Sequence, residues 1–188
     1  MKIRYGFVSN SSSSSFIVVS KNKYKIPTKE ELGLSPLTTF FAIPDSLGGN
    51  TEFGWGPDKF DTFADRLNWA AIGAVIKVSD VDSDCHWYVN SYYDRLKPSK
   101  AWKNKLIKVL KKDFGFAEVS INFSDKDSDI GYIDHQSAPC DSPQNFEFFR
   151  TEKALRNWLY NNENVICCQN DNDDPYFYPD GKPDKRFY

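Results

Sequence analysis

The apolar positions of this chain recur with two different periods, and each stretch of constant period predicts one element. From Ser99 to Asp113, Trp102, Leu106, Val109 and Leu110 repeat at helical spacing, with Ile107 widening the stripe. Pro98 disfavours helical backbone at Lys97, Ser99 offers a hydroxyl to the first-turn amides, and Gly115 stands where the helix should stop. The opposite face is filled by Lys100, Lys103, Lys105, Lys108, Lys111 and Lys112. Next, Ala117, Val119, Ile121 and Phe123 alternate with Glu118, Ser120 and Asn122, the period of a strand with one wet face. A turn from Ser124 to Asp129 leads to Ile130-Gly131-Tyr132-Ile133, and the two strands are expected to pair as a hairpin.

The same rules place the other elements. Tyr5 to Val8 and Phe16 to Val19 are strand-like, with the serine run between them expected to form a loop. Thr28 and Glu31 have capping-box spacing, which predicts a short helix from about Lys29 to Leu32, ended by Gly33. Leu37 to Ile43 lies between prolines and fits an edge strand, while Gly48 to Trp55 fits a loop. Asp58 is expected to open a helix with Phe60, Phe63, Ala64, Leu67, Ala70, Ala71, Ala74 and Val75 on one face, buried nearly all round from Trp69 to Ile76. Within it, Gly73 lowers helix propensity and allows another element to approach closely. After a polar connection, His86 to Leu96 reads as a helix, with a strand as the alternative. Gln136 to Asn145 reads as a loop, Phe146 to Phe149 as a short strand, and Thr151 as the cap of a helix with Ala154, Leu155, Trp158 and Leu159 inward. Val165 to Cys168 is a buried strand, with Cys167 and Cys168 on opposite faces. Residues Asp171 to Tyr188 are polar and are expected to wrap the surface as a C-terminal tail.

These elements predict one α+β domain over residues 1–188, an antiparallel or mixed sheet packed by three or four helices. A chain of 188 residues is long enough for a sizeable core, and with 15 Phe, 10 Tyr and 5 Trp that core must be rich in aromatic rings. The formal charge of -2 gives no global attraction to nucleic acid or anionic membrane, so any such contact must come from a local patch. No apolar run approaches the roughly 20 residues of a membrane span, and the N-terminus lacks a signal-peptide core. The four cysteines have no C-x-x-C spacing. The expectation is a soluble protein of the bacterial cytoplasm, with reduced thiols and no membrane contact.

Arg4, Gly6-Phe7-Val8-Ser9-Asn10, the five serines Ser11 to Ser15 and Phe16-Ile17 form one more distinctive string. It resembles a leader found at the start of many uncharacterised proteins of tailed bacteriophages and of bacteria carrying prophages. The resemblance covers less than a tenth of the chain and implies a phage or mobile-element origin rather than a chemistry. Physically, the serine run reads first as a structural loop held at both ends; the alternatives are a hydroxyl-lined loop that could receive an anion or be modified, with Ser11, Ser12 and Ser13 as its candidate binding residues, and a flexible arm.

Both histidines sit beside carboxylates, in Asp84-Cys85-His86 and Asp134-His135. Imidazole with carboxylate can transfer protons or hold a divalent cation, so His135 and Asp134 are the candidate catalytic pair, and with Asp129 the candidate metal ligands. Asp80-x-Asp82-x-Asp84 and Asp125-x-Asp127-x-Asp129 copy the first spacings of a calcium loop. Both then place Cys85 or Ile130 where glycine is required. No Walker motif, G-x-S-x-G elbow, H-E-x-x-H or dinucleotide fingerprint is present. The lysine face of the helix beginning at Ser99 is the strongest binding feature, with Trp87, Tyr92 and Tyr93 nearby as stacking residues.

Taken together, the expected function is a non-enzymatic, phage-type protein that binds a host or viral macromolecule during infection. The expected partner is a host or phage protein, with nucleic acid a second possibility through the lysine face. The alternatives are a metal-dependent hydrolase of nucleic acid or nucleotides built on His135 and the acidic loops, or a virion component. No cofactor is expected, and a divalent metal is the one addition the acid-imidazole grouping could take.

Overall fold

A computed structural model describes residues 2–5, 13–54, 58–79, 99–123, 131–133, 137, 139 and 143–170. The architecture is α+β. A four-stranded antiparallel sheet has the order β1-β2-β8-β5, formed by Lys2–Tyr5 (β1), Ser13–Ser20 (β2), Val165–Asn170 (β8) and Lys59–Phe60 (β5). Two parallel ladders join Phe40–Ile43 (β3) to Glu118–Ile121 (β6) and Glu52–Phe53 (β4) to Tyr132–Ile133 (β7). Three α-helices, Phe63–Ser79 (α1), Ser99–Phe114 (α2) and Glu152–Tyr160 (α3), complete the core with a 3-10 segment from Pro143 to Arg150.

Local signals explain most of these elements. Thr28 and Glu31 cap each other across the 3-10 turn Glu30–Leu32, and Gly33 ends it with φ of 75°. Thr151 caps α3 by accepting from the Ala154 amide at 3.0 Å. In α2, Leu106, Val109 and Leu110 are fully buried, and Trp102 stacks on Phe149 with ring centroids 4.7 Å apart. Trp69 to Ala74 of α1 is buried all round, as its lack of charge predicts.

Five expectations are corrected. Gly48 to Trp55 is not all loop, since Glu52–Phe53 pairs with β7. The α1 helix begins at Phe63 rather than Asp58, because Thr62 and Asp65 form the reciprocal cap and Lys59–Phe60 is drawn into the sheet beside β8. Phe146 to Phe149 is 3-10 helix, not strand; its i,i+3 spacing sets Phe146 and Phe149 on one side, where both meet the Trp102 ring. The serine run is not all loop, since Ser13 to Ser15 already pair with β8. Finally, β6 and β7 do not form a hairpin. Each pairs in parallel with an upstream strand: the Asn122 amide donates to Ile43 and the Tyr132 amide to Thr51, both at 2.8 Å. Alternation shows which face of a strand is buried but not which neighbour takes its hydrogen bonds.

Gly73 is where α1 meets the 3-10 segment, since any Cβ there would overlap the Phe146 ring. Gly73→Ala therefore sets a helix-propensity gain of about 1 kcal/mol against overpacking. We expect net destabilisation of about 1–3 kcal/mol in urea unfolding. Combining it with Phe146→Leu should cost less than the sum of the two single changes, and strict additivity would contradict the contact.

Candidate macromolecule-binding face

The α2 helix is fixed from behind by two kinds of contact. Its apolar stripe faces the core, and its last turn is clamped to α3. Asp113 accepts two hydrogen bonds from Arg156, at 2.7 and 2.9 Å, and a third from the Tyr160 hydroxyl at 3.0 Å. Both charged side chains are largely buried, with 5% of Asp113 and 15% of Arg156 exposed. This bidentate pair raises the Arg156 pKa, chiefly through its hydrogen bonds to Asp113. Tyr160 is held protonated, first by burial and then by the adjoining carboxylate.

The six lysines divide by role. Lys105 donates to the Phe149 and Arg150 carbonyls at the end of the 3-10 segment, and Lys108 pairs with Glu152 at 2.7 Å. Those two are engaged within the protein, Lys105 with backbone carbonyls and Lys108 in a surface ion pair. Lys103, Lys111 and Lys112 are exposed and form no ion pair among the described residues. Lys100 lies in the first turn of α2, and nothing is described of its side chain. Eight residues separate Lys103 from Lys111, which at the helical rise is about 12 Å along the axis. The outward arc of α2 therefore presents spaced ammonium groups on a backbone anchored by its opposite side.

Asp129, Asp134, His135, His86, Ser11 and Ser12 lie outside the described residues, as do Trp87, Tyr92, Tyr93 and the tail from Asp171. Of Ser13 only the backbone is described, paired with Asn170. Among the described residues no group of three or more His, Cys, Asp or Glu side chains could hold a metal ion. Among them too, no helix is long and apolar enough to cross a membrane.

The serine run and the loop that follows His135 do meet. The Ser15 amide donates to the Ser137 hydroxyl at 2.6 Å, and the Ser15 hydroxyl donates to the Cys168 sulfur at 3.2 Å. Asn145 donates to the Ser15 and Ser137 carbonyls, each at 3.3 Å. All four residues are buried, so Ser15 works as a joint between β2, β8, the turn at Ser137 and the 3-10 segment rather than as a receptor for solvent-borne anions. Sequence reading missed Ser137 and Asn145 because both stand in an aperiodic stretch with no local signature. It also missed the structural use of Lys105, whose acceptors lie more than forty residues away.

No protein-family model, curated protein or solved structure matches the chain.

Two outcomes test the clamp. Asp113→Ala removes the bidentate partner of a largely buried guanidinium, leaving it only Glu152 at 3.3 Å, and should cost about 2–3 kcal/mol; Arg156→Ala should cost a similar amount, and the double variant less than their sum. Glu152 offers a pH test. Its carboxyl is held below its ordinary value of 4.5, first by the hydrogen bond from Lys108. A depressed folded pKa gives a contribution present above the unfolded value and lost as pH falls through the folded one. The stability gap between wild type and Glu152→Gln should therefore close on acidification, in urea titrations run from neutral to strongly acidic pH. A gap constant with pH would contradict it.

Proposed function

We propose that this chain is a non-enzymatic binding protein of phage or prophage origin that docks a host or phage protein through the lysine arc of α2. The origin rests on the resemblance of the leader around Arg4 and Gly6 to Asn10. The binding role is supported by one observation above all: Lys103, Lys111 and Lys112 stand exposed, with no ion pair among the described residues, on a helix whose other side is locked into the core. An exposed ammonium adds little to the stability of the fold, but it contributes specificity and association rate when a partner brings carboxylates to it. An acidic protein surface fits better than nucleic acid. The chain as a whole carries a charge of -2, and two of the six lysines on the helix are already committed to the fold.

The test is a pull-down from nuclease-treated host lysate, wild type beside Lys103→Glu/Lys111→Glu/Lys112→Glu, with circular dichroism showing that the variant stays folded. The variant should lose a salt-sensitive partner that wild type retains. Identical captured sets would refute the docking face. Capture seen in a parallel untreated lysate and abolished by nuclease would move the partner to nucleic acid, with each lost phosphate contact lowering the salt slope by about one. Metal-dependent cleavage of an added oligonucleotide would instead favour the hydrolase built on His135, Asp134 and Asp129.

A further inference from the structure

Between the first turns of α1, the end of α3 and the segment from Lys23 to Leu32 lies a cavity of about 570 Å³, within the range of small-molecule sites. Its wall includes Tyr24, Phe63 and Tyr160, with Tyr160 joining the other two: Phe63 stacks on Tyr160 at 5.9 Å, and Tyr24 lies 6.2 Å from the same ring. The Tyr160 hydroxyl is turned to Asp113. An aromatic wall of this kind suits a flat, apolar body.

The charges around it are unequally committed. Glu31 is paired with Lys25 at 2.8 Å, and Glu163 accepts from the Ser20 hydroxyl and the Asn22 amide. Lys23 is exposed and has no ion pair among the described residues. Arg66, only 1% exposed, also lines the wall. A guanidinium has five N–H donors. Those of Nε and Nη1 go to the carbonyls of Leu159, Asp61 and Asn164, which leaves the two on Nη2 without a protein acceptor among the described residues. Neither Asp61 nor Asp65 reaches Arg66 as a salt-bridge partner; the Asp65 carboxylate is occupied by Thr62 and the Asn50 amide. Among the described residues, the two cations at the cavity without an ion-pair partner are thus the exposed Lys23 and the buried Arg66, whose charge is favoured at longer range by Asp61 and Asp65.

We propose that this cavity binds a small ligand made of a planar aromatic ring bearing one oxyanion, with the ring against Tyr24, Phe63 and Tyr160 and the oxyanion taken by the Arg66 Nη2 donors and Lys23. The fork geometry of guanidinium matches carboxylate and phosphate alike. The assignment is independent of the α2 docking face.

The full chain is titrated calorimetrically with AMP as a ring phosphate and indole-3-acetate as a ring carboxylate, beside inorganic phosphate, acetate and adenosine. At least one ring oxyanion should bind and, at ten times its Kd, raise Tm by about 3–5 °C. Inorganic phosphate, acetate and adenosine, each supplying half of the ligand, should bind at least tenfold more weakly. Lys23→Glu, at an exposed position, should keep the Tm of the free protein and weaken binding at least tenfold. Arg66→Lys, which retains charge but not the fork, should also weaken it if folded. Failure of both ring oxyanions to bind, equal binding by phosphate or adenosine alone, or unchanged affinity in Lys23→Glu would each overturn the assignment.

Discussion

One buried cation ties the sheet to the helices. Arg66 enters the core from the first turns of α1 and donates to Asp61 behind it, to Leu159 in the last turn of α3, and to Asn164 just before β8. Burying a guanidinium is costly, and burial lowers its pKa to about 10, so it stays charged at neutral pH. Carbonyl oxygens at the end of a helix, where the peptide dipoles point their negative ends, offset part of that cost. The contact is returned, since the Trp158 indole donates to the Arg66 carbonyl at 3.0 Å. Asn164 extends the joint, with its side chain bonded to Asn157, Trp158 and the Ser20 amide. The β5–α1 and α3–β8 junctions are thereby fixed against each other, and the pairing of β5 with β8 follows from them.

On that frame α2 does two jobs with one residue type. A lysine has a long apolar stem and a compact charge, so it can tie carbonyls together or stand in solvent according to what its neighbours offer. Lys105 and Lys108 meet acceptors supplied by the 3-10 segment and α3, while Lys103, Lys111 and Lys112 meet none among the described residues. Composition counts six equivalent charges, whereas the packing makes them unequal.

What could be read in advance depended on how local its cause was. The α2 stripe, the Thr151 cap, the Thr28 and Glu31 pair and the close approach at Gly73 are each set by residues within a few positions, and each is found. Strand partners are set by distant chain, and there the expected hairpin gave way to two parallel ladders. Phe146 to Phe149 reads as a strand, but three phenylalanines in four residues are too short a stretch to fix a period, and the Trp102 ring decides for 3-10 helix. Arg66 was invisible for another reason: a charged residue in a helix is ordinarily at the surface, and nothing nearby in sequence announces three carbonyls waiting for it.

The parallel ladders also order events in time. They join positions about 80 residues apart, and bringing such distant segments together from an open coil is entropically slow. Because α1 and α2 lie within that span and pack on each other, their docking shortens the search before β3 can find β6. The topology thus implies a helical kernel assembled early, with the two ladders closing over it as a late step in folding.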